Sequence, residues 1–181
     1  MSDLEKQDLT PVVEPVPQES VLPRLHPSLD IMRAIQGGDL RATAILESFA
    51  YYGAEEDWQS VWLLADVLKR EVSLLFDDQG LIWVDIGTVG MVRLSPPMGS
   101  RLPLRLWVHT HPWEAYWSAT DKRTLATVSG ILERALVLGH DHMVQTVHMD
   151  EAPEDCRLKS SGSLMNWSAE DAVTYAERGH P

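Results

Sequence analysis

The chain has 181 residues, of which 44% are hydrophobic and 23% charged, enough for one domain with a packed core. No apolar run approaches the roughly 18 residues of a membrane span. The net charge of -12 argues against nucleic acid as a partner, since backbone affinity comes from Lys and Arg neutralising phosphates. Cys156 is the only cysteine, which excludes an internal disulfide framework and a cysteine-cluster metal site and fits a reducing cytoplasm. The opening Met-Ser-Asp-Leu-Glu-Lys does not read as a secretory signal.

Residues 1 to about 25 read as a flexible, acidic leader containing Pro11, Pro15, Pro17 and Pro23, with little to bury. Residues 26–181 are expected to form a single domain. Its first part, from Ser28 to about Arg70, is helical. One segment runs from Ser28 to Gln36 and stops at Gly37-Gly38. A second, capped by Asp39, sets Ala42, Ile45, Leu46 and Phe49 at helical spacing. A third starts near Asp57 and aligns Trp58, Val61, Trp62, Ala65 and Leu68 on one face.

The pattern changes to strands at Glu71. Two short apolar runs flank Asp77-Asp78-Gln79-Gly80 and predict a hairpin. Another strand is predicted from about Thr88 to Leu94, and one from Leu104 to Val108 with Arg105, Trp107 and His109 on a common side. Ser118 opens a predicted helix with Leu125, Val128, Leu132 and Ala135 on its apolar face. Residues 136–149 read as one or two further strands, and Ser168-Ala-Glu-Asp as the start of a last helix ending at Gly179. The class is therefore α/β or α+β, a mixed sheet flanked by helices, with an N-terminal helical extension and no internal repeat.

The informative stretch lies between Trp107 and Asp121. His109 and His111 are two apart at a strand end, so both imidazoles project to the same side. Pro112 then stops the strand. Ser118 and Asp121 are three apart at a helix start and share a face. Each piece has a plain structural reading: His-x-His on a strand is common, and Ser-x-x-Asp is a frequent capping box. Their conjunction is what points to a metal. Two imidazoles and one carboxylate leave the fourth tetrahedral position of Zn²⁺ open, as in catalytic sites.

The string His109-Thr-His-Pro…Ser118-x-x-Asp121 resembles the signature of the JAMM (MPN+, Mov34/PAD-1) zinc metallopeptidases, over about residues 70–150. That family includes deubiquitinases and prokaryotic enzymes releasing ubiquitin-like or sulfur-carrier proteins. The resemblance implies a JAB1/MPN-like, cytidine-deaminase-like fold and one zinc ion held by His109, His111 and Asp121. Ser118 would support the oxyanion, and the substrate would be a peptide or isopeptide bond at the C-terminus of a ubiquitin-like protein. The loop between His111 and Asp121 is one residue shorter than the usual spacing. The family also uses an upstream glutamate as general base; Glu71, which opens the first predicted strand, fits best, though without the glycine that often follows it. Glu47, Glu55, Glu56 and Asp85 are the rivals.

Glu71-x6-Asp78, Gly87-Thr88 and Leu138-Gly-His-Asp-His-Met-Val resemble the RadC-like branch of the same superfamily. Thr110 between the histidines and Trp113-Glu114 after the proline depart from that branch and place the chain nearer the peptidases. A non-catalytic MPN-type scaffold is the alternative. His140, His142 and His148 read as surface or turn histidines, since Asp141 would point away from its neighbours in a strand. Trp113, Tyr116 and Trp117 could pack a substrate tail or simply their own loop. A metal-dependent TIM barrel would need roughly 200 residues or more, too many to follow His109.

Overall fold

A computed structural model of the chain describes residues 19–87, 94, 97–150, 154–159, 161–168 and 172–178. Most of the expected leader and the strand expected over 88–94, apart from Leu94, therefore lie outside the described residues. Residues 19–25, the end of that leader, run along the protein: the Val21 amide donates to the Ile82 carbonyl and the Arg24 amide to the Glu47 carbonyl.

Three helices come first: α1 (Ser28–Gln36), α2 (Thr43–Ala54) and α3 (Trp58–Leu68). Asp57 caps α3, its carboxylate accepting the Ser60 amide at 3.1 Å. Asp39 does not cap α2; Ala42 occupies that position, and the Asp39 carboxylate accepts the Arg41 amide instead. Strands β1 (Val72–Phe76) and β2 (Ile82–Ile86) form the expected hairpin. Its turn is organised by buried Asp77, which accepts the amides of Gln79, Leu81 and Arg101 at 2.9 Å each.

Strand β3 (Leu106–Thr110) follows, then α4 (Ala119–Thr127), β4 (Arg134–Leu138), β5 (His142–Val147) and the short β6 (Val173–Thr174). The six strands make one mixed sheet in the order β2-β1-β3-β4-β5-β6. Only β3 and β4 are parallel, joined through α4; the other pairs are antiparallel. The architecture is mixed α and β, as the sequence predicts at that level.

Alternation along the strands sends side chains to two cores. Val72, Leu74, Val84, Val108, Leu136 and Leu138 pack with Ile45, Phe49, Trp58, Val61 and Trp62 of α2 and α3. Helix α2 lies close on β1: a Cβ at Gly53 would meet Leu74 Cδ2 at 2.5 Å. Leu75, Trp83, Trp107 and Ala135 pack on the other face with Leu125, Leu164 and Trp167.

Besides the start of α2, the strand expected over Leu104–Val108 is shifted to Leu106–Thr110, and two helix ends differ further. Helix α4 ends at Thr127, and Leu132 and Ala135 reach the same core from a bridge to Leu104 and from β4. The helix expected from Ser168 to Gly179 gives way, among the described residues, to β6 and a 3-10 turn at Tyr175–Arg178. Ser168 cannot cap a helix because it is used by β5: its hydroxyl accepts the Val147 amide, its own amide donates to the Val147 carbonyl, and its carbonyl accepts the Thr146 hydroxyl. Among the described residues, no helix is long and apolar enough to cross a membrane.

Candidate metal centre

The site sits at the C-terminal end of β3, where this strand lies between antiparallel β1 and parallel β4. In sheets with parallel crossovers, such strand ends commonly form binding crevices. All five residues of β3 are buried. His109 is the register partner of Ser73, whose hydroxyl accepts the Trp107 indole N–H at 2.8 Å. The Trp107 ring in turn stacks on the His109 imidazole, with centroids 4.4 Å apart and planes 16° from parallel. One step on, Thr110 turns to the opposite side and its hydroxyl oxygen accepts the Val72 amide.

His111 lies just past the strand and is pinned through its backbone. Its amide donates to the Leu138 carbonyl, and its carbonyl accepts the Trp62 indole N–H, both at 2.8 Å. Pro112 then releases the chain into the loop before α4. That loop is tied down by the β4–β5 turn. The His140 amide donates to the Trp113 carbonyl at 2.7 Å, and the Ala115 amide donates to His142 Nε2 at 3.0 Å. Because Nε2 accepts there, Nδ1 carries the proton and donates to Asp141 Oδ1 at 2.7 Å. Asp141 is thus a partner of His142, contrary to its expected direction. Gly139 completes the seam: a Cβ there would meet the Ala115 nitrogen at 2.6 Å and the Trp113 oxygen at 2.7 Å.

Ser118 is the N-cap of α4 and forms a reciprocal capping box with Asp121. The Ser118 hydroxyl oxygen accepts the Asp121 amide at 3.1 Å, and Asp121 Oδ2 accepts the Ser118 amide at 2.8 Å. This box turns the carboxylate toward the histidines. His109 Nε2 lies 3.0 Å from Asp121 Oδ1, and His111 Nε2 lies 3.4 Å from Oδ2. All three residues are buried, and one ligand atom from each lies within 4.8 Å of the others. The sequence-predicted ligand set therefore converges.

The electrostatics suit a cation. Burial pushes the His109 imidazole below its ordinary range, against the pull of Asp121, so the ring stays neutral. Burial would raise the Asp121 carboxyl, but the facing imidazoles and Ser118 override it and hold the group well below the usual carboxylate range. His109 Nε2, though close to Asp121, is off the line of a hydrogen bond, and neither nitrogen of this buried ring has a hydrogen-bond partner among the described residues. An orphaned, neutral imidazole nitrogen facing a carboxylate is a donor that a metal ion would satisfy. His109, His111 and Asp121 could hold one.

Glu71 is buried, and its carbonyl accepts the Gly87 amide, extending the hairpin ladder. Glu71 lies one residue before β1, two residues before Ser73, the register partner of His109. It is not one of the three converging ligands. Of the rivals, Glu47 pairs with His26 at 2.6 Å, Asp85 with Arg41 at 3.0 Å, and Glu56 approaches Arg134 at 3.9 Å; Glu55 is exposed. Over the site, Tyr116 packs edge-on against His111 and Trp117 tilts toward His109. His140 packs edge-on against Trp62, and His148 sits against Trp167 with Ser129.

No family model, curated protein or solved structure matches this chain. The functional reading therefore stands on the residues and their geometry. Sequence reasoning had not identified the supports: the Trp62 indole under His111, the Asp141–His142 tether and Gly139. Gly139, Asp141 and His142 fall in the Leu138-Gly-His-Asp-His segment, whose clustered polar residues were the available signal.

Proposed function

We propose that this chain is a zinc-dependent metallopeptidase of the JAMM type, acting in the cytoplasm on a peptide or isopeptide bond at the C-terminus of a ubiquitin-like or sulfur-carrier protein. The observation that carries the reading is the convergence of two buried imidazoles and one ionised carboxylate on a single point. A nitrogen-nitrogen-oxygen donor set of this kind suits Zn²⁺. When bound, the ion would supply Lewis acidity to a carbonyl and to water.

The chain's own residues supply the rest. Trp107 and the backbone bonds of His111 hold both imidazole-bearing residues in place. Glu71, buried just before β1, takes a proton from the attacking water and returns it to the departing amine. Ser118 uses its oxygen for the cap, which leaves its hydroxyl proton to donate to a developing oxyanion. The substrate class and the family rest on the His109-Thr-His-Pro…Ser118-x-x-Asp121 motif, by analogy.

One observation favours a second reading, a non-catalytic MPN-type or RadC-like module. Asp121 also completes the reciprocal capping box of α4 with Ser118, a structural role that needs no catalysis. Glu71→Gln separates the two. In a cleavage assay on linear and isopeptide-linked ubiquitin-like fusions, the enzyme loses turnover with this variant while keeping its metal. An active Glu71→Gln protein, or a wild type inert on every fusion, would contradict the peptidase reading.

A further inference from the structure

A small cleft opens beside the metal centre and shares His111 with it. Its walls are Trp62 and Ala65 of α3, Thr110 at the end of β3, and Pro112. Its charged lining is Asp66, Lys69 and Arg70, where α3 ends. Lys69 is already paired with Asp66 at 2.8 Å. Arg70 donates to the Lys69 carbonyl at 3.2 Å and has no carboxylate partner among the described residues. The cleft thus joins an apolar wall to a guanidinium without a carboxylate partner among the described residues, on a chain whose net charge is -12. A planar guanidinium is the side chain best matched to a carboxylate, through two parallel hydrogen bonds.

We infer that this cleft is a subsite for a peptide's C-terminal residue, with an apolar side chain against Trp62 and Ala65 and its free carboxylate on Arg70. The carboxylate binding stands on the cleft alone; its meaning for catalysis rests on the peptidase reading. A free C-terminal carboxylate necessarily lies on the leaving side of a scissile bond. The substrates would then be chains trimmed close to their own carboxyl end, in preference to conjugates on an internal lysine.

The test uses the full chain labelled with ¹⁵N and the probes N-acetyl-leucine and N-acetyl-leucinamide. The readout is the Trp62 indole N–H resonance, assigned with Trp62→Phe. The acid should shift this resonance with an affinity about tenfold above that of the amide, in metal-free and zinc-loaded protein alike. Arg70→Gln should remove the difference and leave amide binding unchanged. Equal affinity for acid and amide would overturn the inference, as would a preference that survives Arg70→Gln. So would acid binding seen only in the zinc-loaded protein, because the carboxylate would then be on the ion. Since the metal-free arm involves no chemistry, its result is separable from failure of the peptidase reading.

Discussion

Ser118 and Asp121 hold each other: the serine oxygen takes the aspartate amide at 3.1 Å while the aspartate oxygen takes the serine amide at 2.8 Å. The same carboxylate faces both histidines, so the start of α4 and the candidate metal centre are one structure. Ser118→Ala should lower stability by about 0.5–2 kcal/mol, as loss of an N-cap does. It should also weaken zinc binding by about 10–100-fold, as loss of an outer support does. Urea unfolding and zinc titration measure the two effects; a variant that loses stability without losing affinity would uncouple the cap from the site.

The metal-free protein should weaken in mild acid. His109 titrates in the folded chain below its unfolded value of about 6.5. Between the two values the unfolded chain binds more protons, so stability rises with pH there. The contribution is complete above about pH 6.5 and is lost as pH falls toward the folded value. The lowered Asp121 acts in the same direction, but only around and below the ordinary carboxylate range near 4. Urea midpoints of metal-free protein should therefore drop between pH 7.5 and 5.5. His109→Phe, which keeps a ring beside Trp107, should flatten that drop; an equally steep profile in the variant would contradict the assignment.

The loop over the site should depend on the β4–β5 turn. At Gly139 an added Cβ meets backbone atoms of Trp113, Glu114 and Ala115, and backbone cannot step aside as a side chain can. Gly139→Ala should destabilise by about 1–3 kcal/mol. His142→Leu removes the acceptor of the Ala115 amide, a loss of about 1–3 kcal/mol if that amide stays unpaired. Hydrogen exchange at Ala115 should speed up in both variants while the β1–β2 hairpin is unaffected. Unchanged protection at Ala115 would show that the tether does not hold the loop.

Much of the fold was legible because local signals agreed. Helix α1 stops at its glycine pair, α3 begins after the capping Asp57, and the hairpin closes around Asp77. The convergence of His109, His111 and Asp121 was legible for a similar reason: a two-residue strand period and a three-residue helix period each place their side chains locally. Failures came where tertiary contacts took over. Ser168-Ala-Glu-Asp has the look of a helix start, yet pairing with Val147 captured its serine. Asp141 and His142 should diverge in a regular strand, but Asp141 lies before β5 begins and reaches back to its neighbour. Nothing local to Trp62 indicates that its indole supports His111, 49 residues away.

Whether His109, His111 and Asp121 share one ion is read from equilibrium dialysis of the purified full chain against zinc, followed by elemental analysis. One zinc per chain is expected in wild type and in Glu71→Gln, and loss of the ion in His111→Ala and Asp121→Asn proteins whose circular dichroism remains native. A folded wild type that takes up no zinc, or a His111→Ala protein that retains it in full, would contradict a shared ion.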